Sequence, residues 1–251
     1  LGEQKFPSVA MDDDGDFDDA SGVAPSLTIA ELEALGMTYG AANPIALRVI
    51  DDSGMVSAPA SSTVTLTRVV YADAARADDS GDGLSWATAK STLQAAINTA
   101  DALPDVKEVW VKAGVYKPET DPRGWGLGDR GKHFMMRGDV HIYGGFAGAE
   151  TARSQRDFQS NQTILSGDLN GDDQWRDNWG DGTQQGLIVN GGALSYPEVG
   201  WLADETVLGD NVYHVIYNDQ ENLDTSVEAI LDGFAIIGGY ANSTWPHTSG
   251  G

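Results

Sequence analysis

The chain has no cysteine, which excludes disulfides and thiolate metal sites and leaves its redox compartment unmarked. Bases are scarce: 15 Lys and Arg stand against 38 Asp and Glu among 251 residues, a formal net charge of -23. The imbalance is spread along the chain, with 11 acids against 3 bases in residues 1–70 and 27 against 12 in residues 71–251. A nucleic-acid binder needs a cationic face to displace counterions, and docking on anionic lipid needs basic clusters. The charge therefore excludes both roles and favours cations as partners. No apolar run reaches the roughly 18 residues that cross a bilayer as a helix. No signal peptide is visible, and Gly250-Gly251 falls inside what reads as a turn. The chain thus reads as an internal piece of a longer protein, and a missing leader says nothing about export.

What is present is apolar content of 41% with 31 glycines and 9 prolines, enough for a folded core and too much for disorder. Two organisational units are expected, at 1–68 and 69–251. The first opens on the acid cluster Asp12-Asp13-Asp14-Gly15-Asp16-Phe17-Asp18-Asp19. A short helical turn follows, with Thr28 as N-cap, Glu31 three residues on and Gly36 as the stop. Ile45 to Ile50 alternates with period two, the turn Asp51-Asp52-Ser53-Gly54 follows, and Ser62 to Thr67 is another strand. Short strands between Asp/Gly turns predict a small β-sandwich.

In the second unit one amphipathic helix is expected, since Leu93, Ala96, Ile97 and Ala100 share a face and Pro104 lies beyond its end. Short apolar strands then recur between glycine turns: 107–112, 140–143, 163–165, 214–217 and 229–237. Residues 138–146 and 232–240 are alike, each reading apolar-x-Ile-apolar-Gly-Gly-aromatic. Such units cannot bury an apolar face alone, but stacked copies can, which is the logic of a solenoid. A single helix at its start fits a cap that shields open strand edges. A doubly wound α/β fold would need helices between most strands and is rejected.

Two resemblances add to this reading. "SLTIAELEALG", "IALRVIDDSG" and "SSTVTL" resemble a PKD-type immunoglobulin-like module with one or more N-terminal strands missing. "VVYADAARADDSGDGLSWATAKSTLQAAIN", "KEVWVKAGVYKP", "VHIYGGFAGAE", "TILSGDLNGDD", "YHVIY" and "AILDGFAIIGGYAN" resemble the opening of right-handed parallel β-helix proteins, pectate-lyase-like in fold. Within that group they look most like bacterial proteins akin to polymorphic outer membrane proteins. The expected fold is therefore all-β: a right-handed parallel β-helix with one N-terminal capping α-helix, preceded by a small incomplete Ig/PKD-like sandwich. The resemblance implies further rungs beyond Gly251 and a secreted or bacterial cell-surface (outer membrane) setting.

Candidate sites are sparser. Asp12, Asp14, Asp16 and Asp18 alternate in a tight loop and could converge on Ca²⁺, a hard cation that prefers carboxylate oxygens. They do not form an EF-hand, because Phe17 stands at the sixth position and Val23 at the twelfth. Asp168, Asn170 and Asp172 form a second candidate, and in both places a solvated acidic loop is the alternative. Trp125, Trp175, Trp179, Trp201 and Trp245 are expected in loops. Trp175 and Trp179 are equally suited to stacking on a ligand and to pinning a loop, and the other three read as pins. Gly126-Leu127-Gly128-Asp129-Arg130-Gly131 spells a nucleotide motif, but a strand, not a helix, is expected after it, and His133 stands where a hydroxyl should hold Mg²⁺. Arg137-Gly138-Asp139 reads as an ordinary turn. Asn161-Gln162-Thr163 and Asn242-Ser243-Thr244 would be glycosylation acceptors only in a secreted eukaryotic protein. His133, His141, His214 and His247 have no metal-ligand spacing.

These readings predict a monomeric, non-catalytic exported scaffold or adhesin whose loops at about 117–132 and 170–212 contact glycan or a surface protein, with Ca²⁺ in the acidic loops. The alternative is a carbohydrate-active enzyme, a lyase or glycoside hydrolase, on the same scaffold. No catalytic residue is assigned, because 38 acids supply candidates everywhere and identify none.

Overall fold

A computed structural model describes residues 8–10, 17, 19–21, 26–50, 53–171, 174–177, 185–189, 192–193, 210–218 and 228–241. These residues are largely β, with two α-helices among them. The chain divides into two compact units, residues 1–68 with 104–106, and residues 69–103 with 107–251.

The first unit contains β1 (Ser8–Ala10), β2 (Ala20–Ser21), α1 (Ile29–Ala34), β3 (Asn43–Arg48) and β4 (Ala60–Val64). The strands form one antiparallel sheet in the order β2-β1-β3-β4. No residue of α1 is buried, so its ends hold it. Thr28 N–H donates to Glu31 Oε2 at 2.7 Å and Glu31 N–H donates back to Thr28 Oγ1 at 3.3 Å, the capping box expected from the spacing. Gly36 ends the helix with φ +78°. Asn43 fastens the start of β3: its Nδ2 donates to the Thr38 carbonyl at 2.9 Å and its Oδ1 accepts from Thr38 N–H at 2.8 Å. Residues 104–106 join this unit through Asp105, whose buried carboxylate takes the forked guanidinium of Arg68, Nη2 to Oδ1 at 2.9 Å.

The second unit opens with β5 (Arg68–Ala72), which begins at the boundary, and α2 (Leu93–Ala102). It continues with β6 (Val106–Lys112), β7 (Gly114–Tyr116), β8 (Phe134–Met136), β9 (His141–Phe146) and β10 (Thr163–Ser166). β11 (Gln174–Asp177), β12 (Gln185–Val189) and β13 (Gly192–Ala193) precede β14 (Ile216–Asn218), β15 (Ile230–Asp232) and β16 (Phe234–Ile237). The sheet orders are β15-β9-β6-β5, β16-β10-β7 and β14-β8. Among the described residues, the pairings of β6 to β10 and β14 to β16 with one another are parallel. Successive passes of the chain visit the sheets in one order: β8, β9, β10, and then β14, β15, β16. Residues meet in ladders, Val109 with Ile142 and Leu231, and Tyr116 with Leu165 and Ile236. Val109, Val111, Ile142, Leu165 and Phe134 are almost wholly buried. Buried parallel strands are expected to be this rich in branched aliphatics.

The look-alike segments 138–146 and 232–240 are not stacked in their matching register. Ile142 pairs with Leu231, while Ile236 pairs with Leu165 on another sheet. What stacking demands is an apolar residue at the inward position and a small one where backbones meet. A Cβ on Gly144 would lie 2.5 Å from the Gly233 carbonyl oxygen, and one on Gly167 would lie 2.3 Å from that of Gly238.

α2 buries Leu93, Ala96, Ile97 and Ala100, the face that the periodicity predicted, and Gln94 beside them. Its N-cap Thr92 is held in turn by Asp79. That carboxylate accepts from Thr92 N–H at 2.9 Å, Thr92 Oγ1 at 2.8 Å and Ser91 Oγ at 3.0 Å. Burial alone would raise the Asp79 carboxyl, but these donors outweigh it and hold it below the usual carboxylate range. Asp79→Ala is expected to cost about 1–2 kcal/mol, read as a lower urea midpoint with an unchanged slope.

Candidate functional site

The residues 117–133 leave β7 and return to β8 through a 3₁₀ turn at Gly128–Gly131. The return is fastened by His133 N–H to the Thr120 carbonyl at 3.1 Å and by Arg130. Arg130 Nε donates to the Asn211 carbonyl at 2.7 Å and Nη2 to that of Tyr240 at 2.9 Å. Its guanidinium also lies over the rings of Tyr213 and Tyr240. Asp121 Oδ2 accepts from Gly126 N–H at 3.0 Å and shapes the outer part of the loop.

This folding brings together an aromatic and titratable cluster. The Trp125 ring lies 4.9 Å from His133, 5.1 Å from Tyr217 and 6.4 Å from His214, centroid to centroid. Arg123 lies over both Trp125 and Tyr217, at 5.8 and 5.1 Å. His133 is only 1% exposed. Its Nδ1 is 2.8 Å from the Gly131 carbonyl, and a carbonyl only accepts, so Nδ1 carries the proton and Nε2 holds a lone pair. That Nε2 is buried and has no hydrogen-bond partner among the described residues, as is Asp121 Oδ1. Burial pushes the His133 pKa down. The Gly131 bond and the Asp121 charge oppose this, and His214 and Arg123 add to it. His133 packs against the Trp125 ring and Arg123 lies over it, which ties Trp125 to the loop.

A second feature is a groove of about 360 Å³ lined by Phe158, Gln162, Thr163, Asp232 and Phe234. Phe158 is 53% exposed and presents an open aromatic face beside an amide and a carboxylate. Asp232 is paired to Arg156, and Arg153 Nη1 donates to Glu108 Oε1 at 2.7 Å. Both arginines lie over the Tyr143 ring, at 4.5 Å for Arg153 and 5.1 Å for Arg156. The groove thus sets an exposed apolar face beside polar groups.

The expected metal residues are placed only in part. Asp12, Asp14, Asp16, Asp18 and Asp172 lie outside the described residues. Asp168 is buried and its Oδ1 accepts from Gly171 N–H at 2.6 Å, closing a tight turn. Asn170 N–H donates to Asp210 Oδ2 at 2.9 Å, and the Lys117 ammonium donates to the Leu169 carbonyl at 3.2 Å. Among the described residues no three His, Asp or Glu side chains are grouped to hold a metal ion.

Trp179 lies outside the described residues, whereas Trp175 sits in β11 and not in a loop. β11 pairs antiparallel with β12, and β12 with β13, inside the stretch expected to be one long loop. Asp and Gly dominate that stretch and hide its strands. The signal was Leu187-Ile188-Val189 followed by Asn190-Gly191-Gly192, a strand running into a turn.

The dismissed motifs keep their plain roles. The glycine-rich 126–131 stretch precedes β8, a strand. Arg137 pairs with Asp101 at 3.5 Å, and Asp139, at φ +64°, pairs with Lys107 at 2.8 Å. The juxtaposition of His133 with His214 was missed. They are distant in sequence, carry no shared period, and meet only because β14 pairs with β8.

No known family model matches the sequence, and no curated protein or solved structure is similar to it at a significant level. Among the described residues, no helix is long and apolar enough to cross a membrane.

Proposed function

We propose that the second unit is a right-handed parallel β-helix serving as a non-catalytic scaffold of adhesin type on an exported or bacterial cell-surface protein, with the first unit as a PKD-like spacer. The observation that carries this reading is the order of pairing: β8, β9, β10 and then β14, β15, β16 add in turn to the same sheets, with glycines where layers touch. The acids also behave as structural groups. Asp79 supports a helix cap, Asp157 accepts from Gln159 and Ser160 N–H, and Glu150 accepts from Ala147 and Gly148 N–H. Recognition then falls to the exposed ring of Phe158 in the groove, and to Trp175 and Trp179 as the sequence-based candidates, taking glycan or the surface of another protein. Fold-level likeness does not fix chemistry, so binding itself is the test.

The purified chain is expected to retain glycans on an array without consuming them. Phe158→Ala should weaken retention by about tenfold, the loss of one stacking contact. Retention that ignores Phe158 would remove the groove from the reading. The second reading, a carbohydrate-active enzyme, draws on Glu108 and Asp232, two carboxylates near Tyr143, of which Asp232 lines the groove. New reducing ends or unsaturated products from polysaccharide would establish it and overturn the scaffold. Ca²⁺ in the acidic loops is part of the proposal: at about 100 times Kd it would add about 2.7 kcal/mol and raise the melting temperature. An unchanged melting temperature with Ca²⁺ and with Mg²⁺ would end the metal claim.

A further inference from the structure

We propose that His133 is an acid-sensitive latch that keeps residues 121–129 closed against β8 and β14 while its imidazole is neutral, and releases them when Nε2 takes a proton from solvent. The geometry sets this up. The ring is buried against Trp125 and Tyr217, its Nδ1 proton is committed to the Gly131 carbonyl, and Nε2 meets no acceptor among the described residues. Protonation would place a second N–H donor and a positive charge in that pocket. A buried charge without a partner is costly, and the cheaper outcome is to bring the ring to water.

The charged and titratable neighbours come from two segments. Asp121 and Arg123 lie on the loop, and His214 and Tyr217 lie on the segment that carries β14. Asp121 offsets part of the new charge: its Oδ2 holds Gly126 N–H, while its buried Oδ1 makes no hydrogen bond to Nε2 in the closed state. Arg123 and His214 oppose it. Arg130, bonded to the Asn211 and Tyr240 carbonyls, holds the far end of the loop and bounds the motion. Opening would uncover the faces of Trp125 and Tyr217.

The sign follows from burial. The closed state holds the His133 pKa below its open value, so the open state binds the proton first. Closure is at full strength above about pH 6.5 and weakens as pH falls from there toward the depressed pKa, by up to about tenfold per pH unit.

The test is amide hydrogen exchange of the 251-residue chain, corrected for intrinsic rates, together with NMR titration of the His133 ring. Acidification should raise the opening constant of 121–129 over the interval in which the ring titrates, while β6 and β9 stay protected. His133→Phe, which keeps an aromatic ring and cannot titrate, should abolish the pH dependence. The latch is overturned if the Phe variant opens with the same pH profile, if the ring titrates with the loop still protected, or if β6 and β9 lose protection together with the loop. Should the variant fail to fold, coincidence of ring titration and loop opening in the wild-type chain decides alone.

Discussion

Phe146→Ala is expected to destabilise the second unit by about 3–5 kcal/mol, lowering its melting temperature by roughly 10 °C. Phe146 is fully buried at the end of β9, in an aromatic cluster on the face of the sheet opposite Val109 and Ile142. Its ring stacks on Trp110 at 4.7 Å with planes 10° apart, and Trp86 meets it at 5.7 Å. Tyr71 extends the cluster to β5, 4.6 Å from Trp86 and 5.7 Å from Trp110. Both indole N–H groups are satisfied, Trp86 by the Glu150 carbonyl at 3.0 Å and Trp110 by Glu108 Oε2 at 2.7 Å. Rings held at both ends cannot collapse into a gap, so the alanine cavity should persist and the cost should fall at the upper end of the range. Calorimetry should show the transition of the second unit shifted and that of the first unchanged. A loss below about 1 kcal/mol would mean that the cluster repacks freely.

Gln94→Leu is expected to cost about 1–3 kcal/mol for each backbone group it strands, and there are two. Met135 N–H donates to Gln94 Oε1 at 2.7 Å, and Gln94 Nε2 donates to the Met135 carbonyl at 3.3 Å. The side-chain amide thus takes the place of a neighbouring strand along the edge of β8 that β14 does not occupy. Leu conserves helix propensity and volume, so the loss reports the two bonds to Met135 together with the Gln94 Nε2 bond to Asn98 Oδ1 at 3.0 Å. Hydrogen exchange should place the change at Met135, ahead of any change in β6. The variant should also aggregate sooner, since an uncovered strand edge pairs with other chains. Unchanged protection at Met135 would show that the amide does not close the edge.

Much of this was legible locally. Leu93, Ala96, Ile97 and Ala100 announced the buried face of α2, and Thr28 with Glu31 announced the box that starts α1. Both are signals confined to a few residues, where spacing alone decides which side chains meet. Gln94 was not legible, because a polar residue on a helix face reads as solvent-facing until an open strand edge arrives beside it. Trp175 was placed in a loop because its acidic surroundings drowned a four-residue strand. The look-alike segments predict stacking in their matching register, whereas the close glycine contacts set Gly144 on Gly233 and Gly167 on Gly238.

The amino-acid order by itself determined the β-rich character of the chain, its acidity, its capped helices and the alternation that gives each strand an inner and an outer side. Those properties arise from neighbours within a turn or a strand. Tertiary structure alone decided which strand lies on which, which edge Gln94 closes, and that His133 shares a pocket with His214 and Tyr217. Parallel pairing joins segments separated by tens of residues, and their register is selected by how closely whole layers can approach, a quantity that no local pattern carries.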